Sequence, residues 1–141
     1  MTTSGPVSAH GASAAGPADG RIAPVYSDLE SWVHEILAQV VRRRLGGHLT
    51  WCPEWYRHAE AIMRLMAMWE EWERAADEGT MSNWWLDHCD PHMAVLMSRD
   101  NGPFMACTEK EHRPLGPLPL APRNPKLWRD TVFSDRADSA P

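Results

Sequence analysis

Side chains able to ligate a metal or act as nucleophiles gather in two stretches of this chain. The first is Trp51-Cys52-Pro53-Glu54-Trp55-Tyr56-Arg57-His58. The second is Trp84-Trp85-Leu86-Asp87-His88-Cys89-Asp90-Pro91-His92, with Cys107 and His112 further on. Zinc takes three or four ligands from Cys, His, Asp and Glu in tetrahedral geometry, so Cys52, His58, His88, Cys89, His92, Cys107 and His112 form the pool. Within it, Cys52, His88, His92 and Cys107 are the candidate ligands, some subset of which would hold zinc. His88 and His92 stand four apart, the spacing that puts two ligands on one helical face. Pro91 lies between them and is expected to break that helix. No HExxH is present, and cysteines at 52, 89 and 107 match no zinc-ribbon spacing. The competing reading makes the three thiols small buried apolar groups and leaves the imidazoles in local hydrogen bonds.

Nucleophilic catalysis has less support. Cys89 or Cys107 could be drawn beside His88 or His92 and Asp87 or Asp90, but a domain with seven histidines allows many such drawings. There is no GxSxG elbow, Walker loop or GxGxxG. A small hydrolase is the weakest of the readings.

Eight tryptophans are unusual in a chain of 141 residues. Trp32, Trp69 and Trp72 fall on apolar stripes and read as core. Trp51, Trp55, Trp84 and Trp85 sit at element starts among polar residues. On a helix Trp84 and Trp85 point about 100° apart, so burial of both is not expected. With His58 they are the candidate interface, since a surface tryptophan often anchors a partner. A base-stacking surface would need local arginines, for which Arg57 and Arg64 are candidates.

The elements that must carry these residues are mainly helical: about three helices and one small β-hairpin. Ser27-Asp28-Leu29-Glu30 is a capping box. Leu29, Trp32, Val33, Ile36, Leu37, Val40, Val41 and Leu45 then form one stripe. Arg42, Arg43 and Arg44 would close this first helix, favoured there by its dipole, and Gly46-Gly47 would end it. A second helix, from about Pro53 or His58 to about Ala76, carries Ile62, Leu65, Met66, Trp69 and Trp72 inward and an acidic outer face. A third starts near Ser82 and is expected to stop by Asp90. Asn101-Gly102, between Val95-Leu96-Met97 and Phe104-Met105-Ala106-Cys107, signals the hairpin.

Residues 25–113 thus form the folded domain. Residues 1–24 are Gly, Ala, Ser, Thr and Pro with almost no bulky apolar side chain, and read as a disordered tail. Residues 114–141 form a proline-rich extended tail, whose Leu115, Leu118, Leu120, Leu127 and Trp128 are expected to dock on the domain, the alternative being capture of a partner. There is no signal-peptide pattern and no run near the ~20 apolar residues of a membrane span. The odd cysteine count argues against a secreted disulfide framework. A cytoplasmic location follows, and the net charge of -5 gives no general nucleic-acid footprint.

Several short patterns combine into a resemblance: Trp51-Cys52-Pro53-x-Trp55, His58-x-Glu60-Ala61, Arg64-Leu65, Trp69-x-x-Trp72-Glu73, Trp84-Trp85, His88-x-Asp90-Pro91-His92 and Gly102-Pro103-Phe104-x-x-Cys107. Together they resemble the actinobacterial domain-of-unknown-function family DUF 4913, from about Tyr26 to Leu120. The departures are Tyr56 where members often have Trp, and Ala59 where they often have Pro. Twelve arginines against two lysines agree with a GC-rich source. The family has no established activity. Its occurrence on chromosomes, plasmids and phages implies an accessory role in a mobile element. It also draws Cys52, His58, His88, Asp90, His92 and Cys107 into one motif set.

The expectation is therefore a small cytoplasmic, non-catalytic helical module that binds another protein. A zinc-stabilised module and a nucleic-acid accessory protein using Arg42, Arg43, Arg44, Arg57 and Arg64 are the alternatives.

Overall fold

The computed structural model describes residues 23–129. The expected N-terminal tail up to residue 22, and the end of the C-terminal tail from residue 130, lie outside the described residues. Three helices make up the frame. The first, α1 (29–40), opens as α-helix over Leu29–Trp32, widens into a π segment over Val33–Leu37 and closes over Ala38–Val40. Its cap is Asp28, one residue later than the capping box places it. The Asp28 carboxylate accepts from Ser31 N at 2.7 Å and from Ser31 Oγ at 3.0 Å. A charged acceptor also meets the positive end of the helix dipole, an advantage a Ser27 hydroxyl lacks.

The chain leaves the helix at Val41, whose ψ is 93°. β-branched residues adopt extended backbone at little cost, and Val40-Val41 supplies two. Arg42, Arg43 and Arg44 therefore lie beyond α1 rather than in its last turn, which corrects the expected helix end. Arg42 Nε still donates to Gln39 O at 2.8 Å, one of the carbonyls that a helix end leaves without an internal donor. Gly46 and Gly47, with φ of 110° and 60°, then turn the chain into the loop that carries Cys52.

A 3-10 turn over Trp55–Arg57 leads into α2 (Ala59–Glu78). Its fully buried residues are Ala61, Leu65, Met68 and Ala75, with Trp69 and Trp72 packed against the core. The inward stripe is turned by about one residue from the expected one, so Ile62 and Met66 are exposed. Gly79 at φ 72° closes the helix in a left-handed cap.

The last helix, α3 (81–96), is continuous through Pro91, contrary to the expected stop. It runs as α-helix over Met81–Trp84, π over Trp85–Cys89 and α again over Asp90–Leu96. Proline has no N–H and its ring crowds the carbonyl four residues back. Here the Asp90 N–H reaches Trp85 O, a five-residue step. The widened turn makes room for the ring without breaking the helix.

The expected β-hairpin is absent: the described residues contain no strand, only isolated bridges between Gly46 and Leu49 and between Leu49 and Ser98. Val95 and Leu96 finish α3 instead, and Met97 caps it. Gly102 N bonds Ser98 O at 2.9 Å, and tight turns bring Met105 N to Gly102 O and Cys107 N to Phe104 O. These turns coil the chain back on the domain, so Asn101-Gly102 lies in the turn that follows α3 rather than joining two strands.

The core holds Trp32, Leu37, Leu65, Met68, Trp84 and Leu96, all at most 2% exposed. Trp32 lies 6.2 Å from both Trp72 and Trp84, a spacing typical of tilted and edge-to-face pairs. Trp84 Nε1 donates to Met68 O at 2.8 Å. Glu73 of α2 anchors the start of the described chain by accepting from Val25 N, Tyr26 N and Trp69 Nε1. In the proline-rich stretch Leu118 and Leu120 are 82% and 87% exposed, so at these positions the tail does not dock on the domain.

Candidate metal centre

Two loops meet beside the N-terminus of α2. The first runs from Cys52 to His58 and the second from Cys107 to His112. The second is brought there by the turns after α3 and by a bond from Thr50 Oγ1 to Cys107 O at 3.1 Å. One ligand atom from each of Cys52, His58, Cys107 and His112 falls in a group whose members all lie within 4.8 Å of one another. Cys52 Sγ is 3.3 Å from His112 Nδ1. Cys107 Sγ is 3.5 Å from His58 Nε2 and 3.9 Å from His112 Nδ1. A tetrahedral zinc with ordinary Zn–S and Zn–N bonds separates its ligand atoms by roughly 3.3–3.8 Å. The cluster is therefore close to the size such an ion needs.

The surroundings suit the same chemistry. Cys52 and Cys107 are fully buried and His58 is 7% exposed. Burial pushes the Cys52 thiol up to about 11, and the neighbouring Cys107 adds to this. Without a cation its thiolate is scarce at neutral pH, unlike that of an activated nucleophile. Each sulfur nonetheless accepts a backbone N–H. Glu54 N–H favours the Cys52 thiolate, and Arg113 N lies 3.3 Å from Cys107 Sγ. Such donors stabilise a metal-bound sulfur. Burial first, then His112 and Arg57, hold His58 below its ordinary value, so it presents the neutral imidazole that a metal requires. Phe104 and His112 pack on the His58 ring at 4.8 and 4.6 Å.

Of the four candidate ligands, Cys52 and Cys107 are in this cluster and His88 and His92 are not. His88 Nε2 sits 3.5 Å from Glu71 Oε2, and Arg64 Nη1 lies 3.0 Å from His92 Nδ1. Both belong to a polar seam between α2 and α3. A guanidinium has no acceptor, so His92 Nδ1 accepts and the ring is neutral. Cys89 is buried elsewhere, its thiol pushed up to about 11 by burial. His58 and His112 complete the cluster instead. The signal for them is a pair of Cys-to-His hooks of similar reach, Cys52-x5-His58 and Cys107-x4-His112.

The candidate interface residues are dispersed. Trp55 and Trp84 are buried at 6% and 1% exposure, His58 belongs to the cluster, and Trp51 and Trp85 are partly buried. Trp51 meets Phe104 edge-on at 5.0 Å, and Trp84 and Trp85 form a T-shaped pair at 5.2 Å. Arg57 and Arg64 pair with Glu54 and Glu60 on their own segments.

The fold and the cluster define a small three-helix protein whose irregular segments meet at a Cys2His2 donor set. Its sequence matches the family described as a domain of unknown function, DUF4913, over residues 26–126, and the chain belongs to that family. No curated protein and no solved structure matches it. No helix among the described residues is long and apolar enough to cross a membrane.

Proposed function

We propose that this protein is a non-catalytic helical module fastened by one zinc ion held by Cys52, His58, Cys107 and His112. The observation that carries the reading is the convergence of those four donors within 4.8 Å, from loops on either side of the α2–α3 pair. Two thiolates and two imidazoles suit zinc, whereas hard cations prefer oxygen donors. Four protein ligands fill a tetrahedral shell and leave no open position for a reacting water, which favours a structural role.

The test is the metal content of the full chain purified without chelator. Close to one zinc per chain is expected. Cys52→Ala, His58→Ala, Cys107→Ala and His112→Ala should each lose most of it, while His88→Ala and His92→Ala should keep it. A wild-type protein that neither carries zinc nor takes it up on titration would overturn the reading, as would loss of zinc from the His88 or His92 variant alone.

A further inference from the structure

A second feature lies on the other side of the Cys52 loop. Between that loop, α1 and α3 is an open cavity of about 600 Å³, within the usual range for small-molecule sites. Its walls are mostly apolar: Val33 and Leu37 from α1, Trp51 and Trp55 from the loop, Met93 and Met97 from the end of α3. The loop alternates. Trp51, Pro53 and Trp55 line the cavity, and Cys52 between them belongs to the metal cluster.

The polar part of the lining has one sign. Among the described residues no Asp or Glu lines the cavity, while Arg42 and Arg43 do. Arg57, Arg64, Arg74 and Arg113 each have a carboxylate partner. Among the described residues, Arg42 and Arg43 bond only to the Gln39 carbonyl and side chain and to the Arg42 carbonyl, and neither has a carboxylate within ion-pair distance. A guanidinium carries five donors, so most of theirs remain for an anion. Their position just beyond α1, where the helix stops at Val40, brings them to the cavity edge.

We propose that this cavity binds a small aromatic anion. Its ring system would lie against Trp51, Trp55 and the two methionines, and its carboxylate or sulfonate would meet Arg42 and Arg43. Indole faces favour a flat ligand, methionine side chains adapt to its outline, and paired guanidiniums select the charged head. None of the four donors lines the cavity, so the site rests on separate observations, although Cys52 shares the loop of Trp51 and Trp55 and the probes are therefore tested on protein of known zinc content.

The experiment uses two fluorescent probes of like shape on the full chain: the anion 1-anilinonaphthalene-8-sulfonate and the neutral N-phenyl-1-naphthylamine. The sulfonate is expected to bind saturably, one per chain. Replacing both arginines (Arg42→Gln with Arg43→Gln) should weaken it by about tenfold or more and leave the neutral probe within about twofold. Ala38→Trp, placed on the exposed side of α1 at the cavity wall, should block both probes. Circular dichroism and melting curves establish that the variants fold. Unsaturable binding, equal affinity of the double arginine variant for the sulfonate, or full binding by folded Ala38→Trp protein would each overturn the proposal.

Discussion

At the residue scale, the same chemical types serve unlike purposes according to what surrounds them. Cys52 and Cys107 accept backbone N–H groups and face two imidazoles, whereas Cys89 is packed in the core without them. Composition and spacing place Cys52 and Cys107 among the ligands because few other soft donors exist. They favour His88 and His92 because an i, i+4 pair is a local signal, readable along one helix. The partners that converge, His58 and His112, are brought in by loop geometry, which leaves no periodic trace. His92 instead gives a pH prediction. Its burial, the Arg64 guanidinium and His88 all hold it below the ordinary 6.5. As pH falls through about 6.5 the unfolded chain takes up the proton before the folded one does. The stability His92 contributes is therefore full above that pH and lost as pH drops toward its folded value. Urea midpoints of the wild type should fall between pH 6.5 and 5, and those of His92→Gln should fall less over the same range. Any acid release of metal acts on both proteins, so the difference between them isolates the imidazole. Parallel pH curves would show that the Arg64–His92 contact carries no such linkage.

At the scale of elements, the periodic parts of the chain were legible and the turns were not. Helices at the expected places follow from apolar steps of three and four, which bury one face whatever the exact phase. The phase of α2 and the end of α1 depend on what packs opposite, and no single stretch of sequence contains that. Pro91 and Asn101-Gly102 mislead for a related reason. Each is a sound local signal, for a break and for a hairpin, and each is overridden by the chain around it, by a π turn in one case and by continued coiling in the other. Gly102 shows what the second alternative requires. A Cβ there would lie 2.2 Å from Val95 O in the last turn of α3 and 2.8 Å from Ser98 O just past its end, both backbone atoms that cannot swing aside. Gly102→Ala must shift that helix end or the turn carrying Phe104 and Cys107. A loss of roughly 1–3 kcal/mol is expected, the range for overpacking a tight site, read from denaturant midpoints. Because Cys107 follows this turn, zinc affinity should fall in the same variant. Gly102→Ala protein with wild-type stability would mean that the turn has room it does not show.

Across the whole molecule, order comes from two different sources. The three helices close on an aromatic centre of Trp32, Trp72 and Trp84, where burial of large apolar surfaces supplies the stability. The segments 46–58 and 98–113 have little regular hydrogen bonding. They are tied by single contacts such as Thr50 N to Met97 O at 2.9 Å and Arg99 N to His48 O at 3.0 Å, and by the four-donor cluster. An ion at that cluster would close a loop of chain that contains α2 and α3, and would hold segments the aromatic centre does not reach. Its removal should therefore act unevenly. A ligand that binds only the folded state stabilises by about 4 kcal/mol at a thousandfold excess over Kd, and for a domain of this size its loss lowers Tm by at least about 10 °C. Regions of low contact density open first, so amide exchange measured with and without chelator should rise steeply at 50–58 and 104–113. The buried residues of α2 and α3 around Leu65, Met68 and Leu96 should keep most of their protection at temperatures below the lowered Tm. Uniform loss of protection would mean that the helices themselves require the metal. Unchanged protection in the two loops, in protein shown to have lost its zinc, would mean that Thr50, Phe104 and the backbone contacts alone hold them.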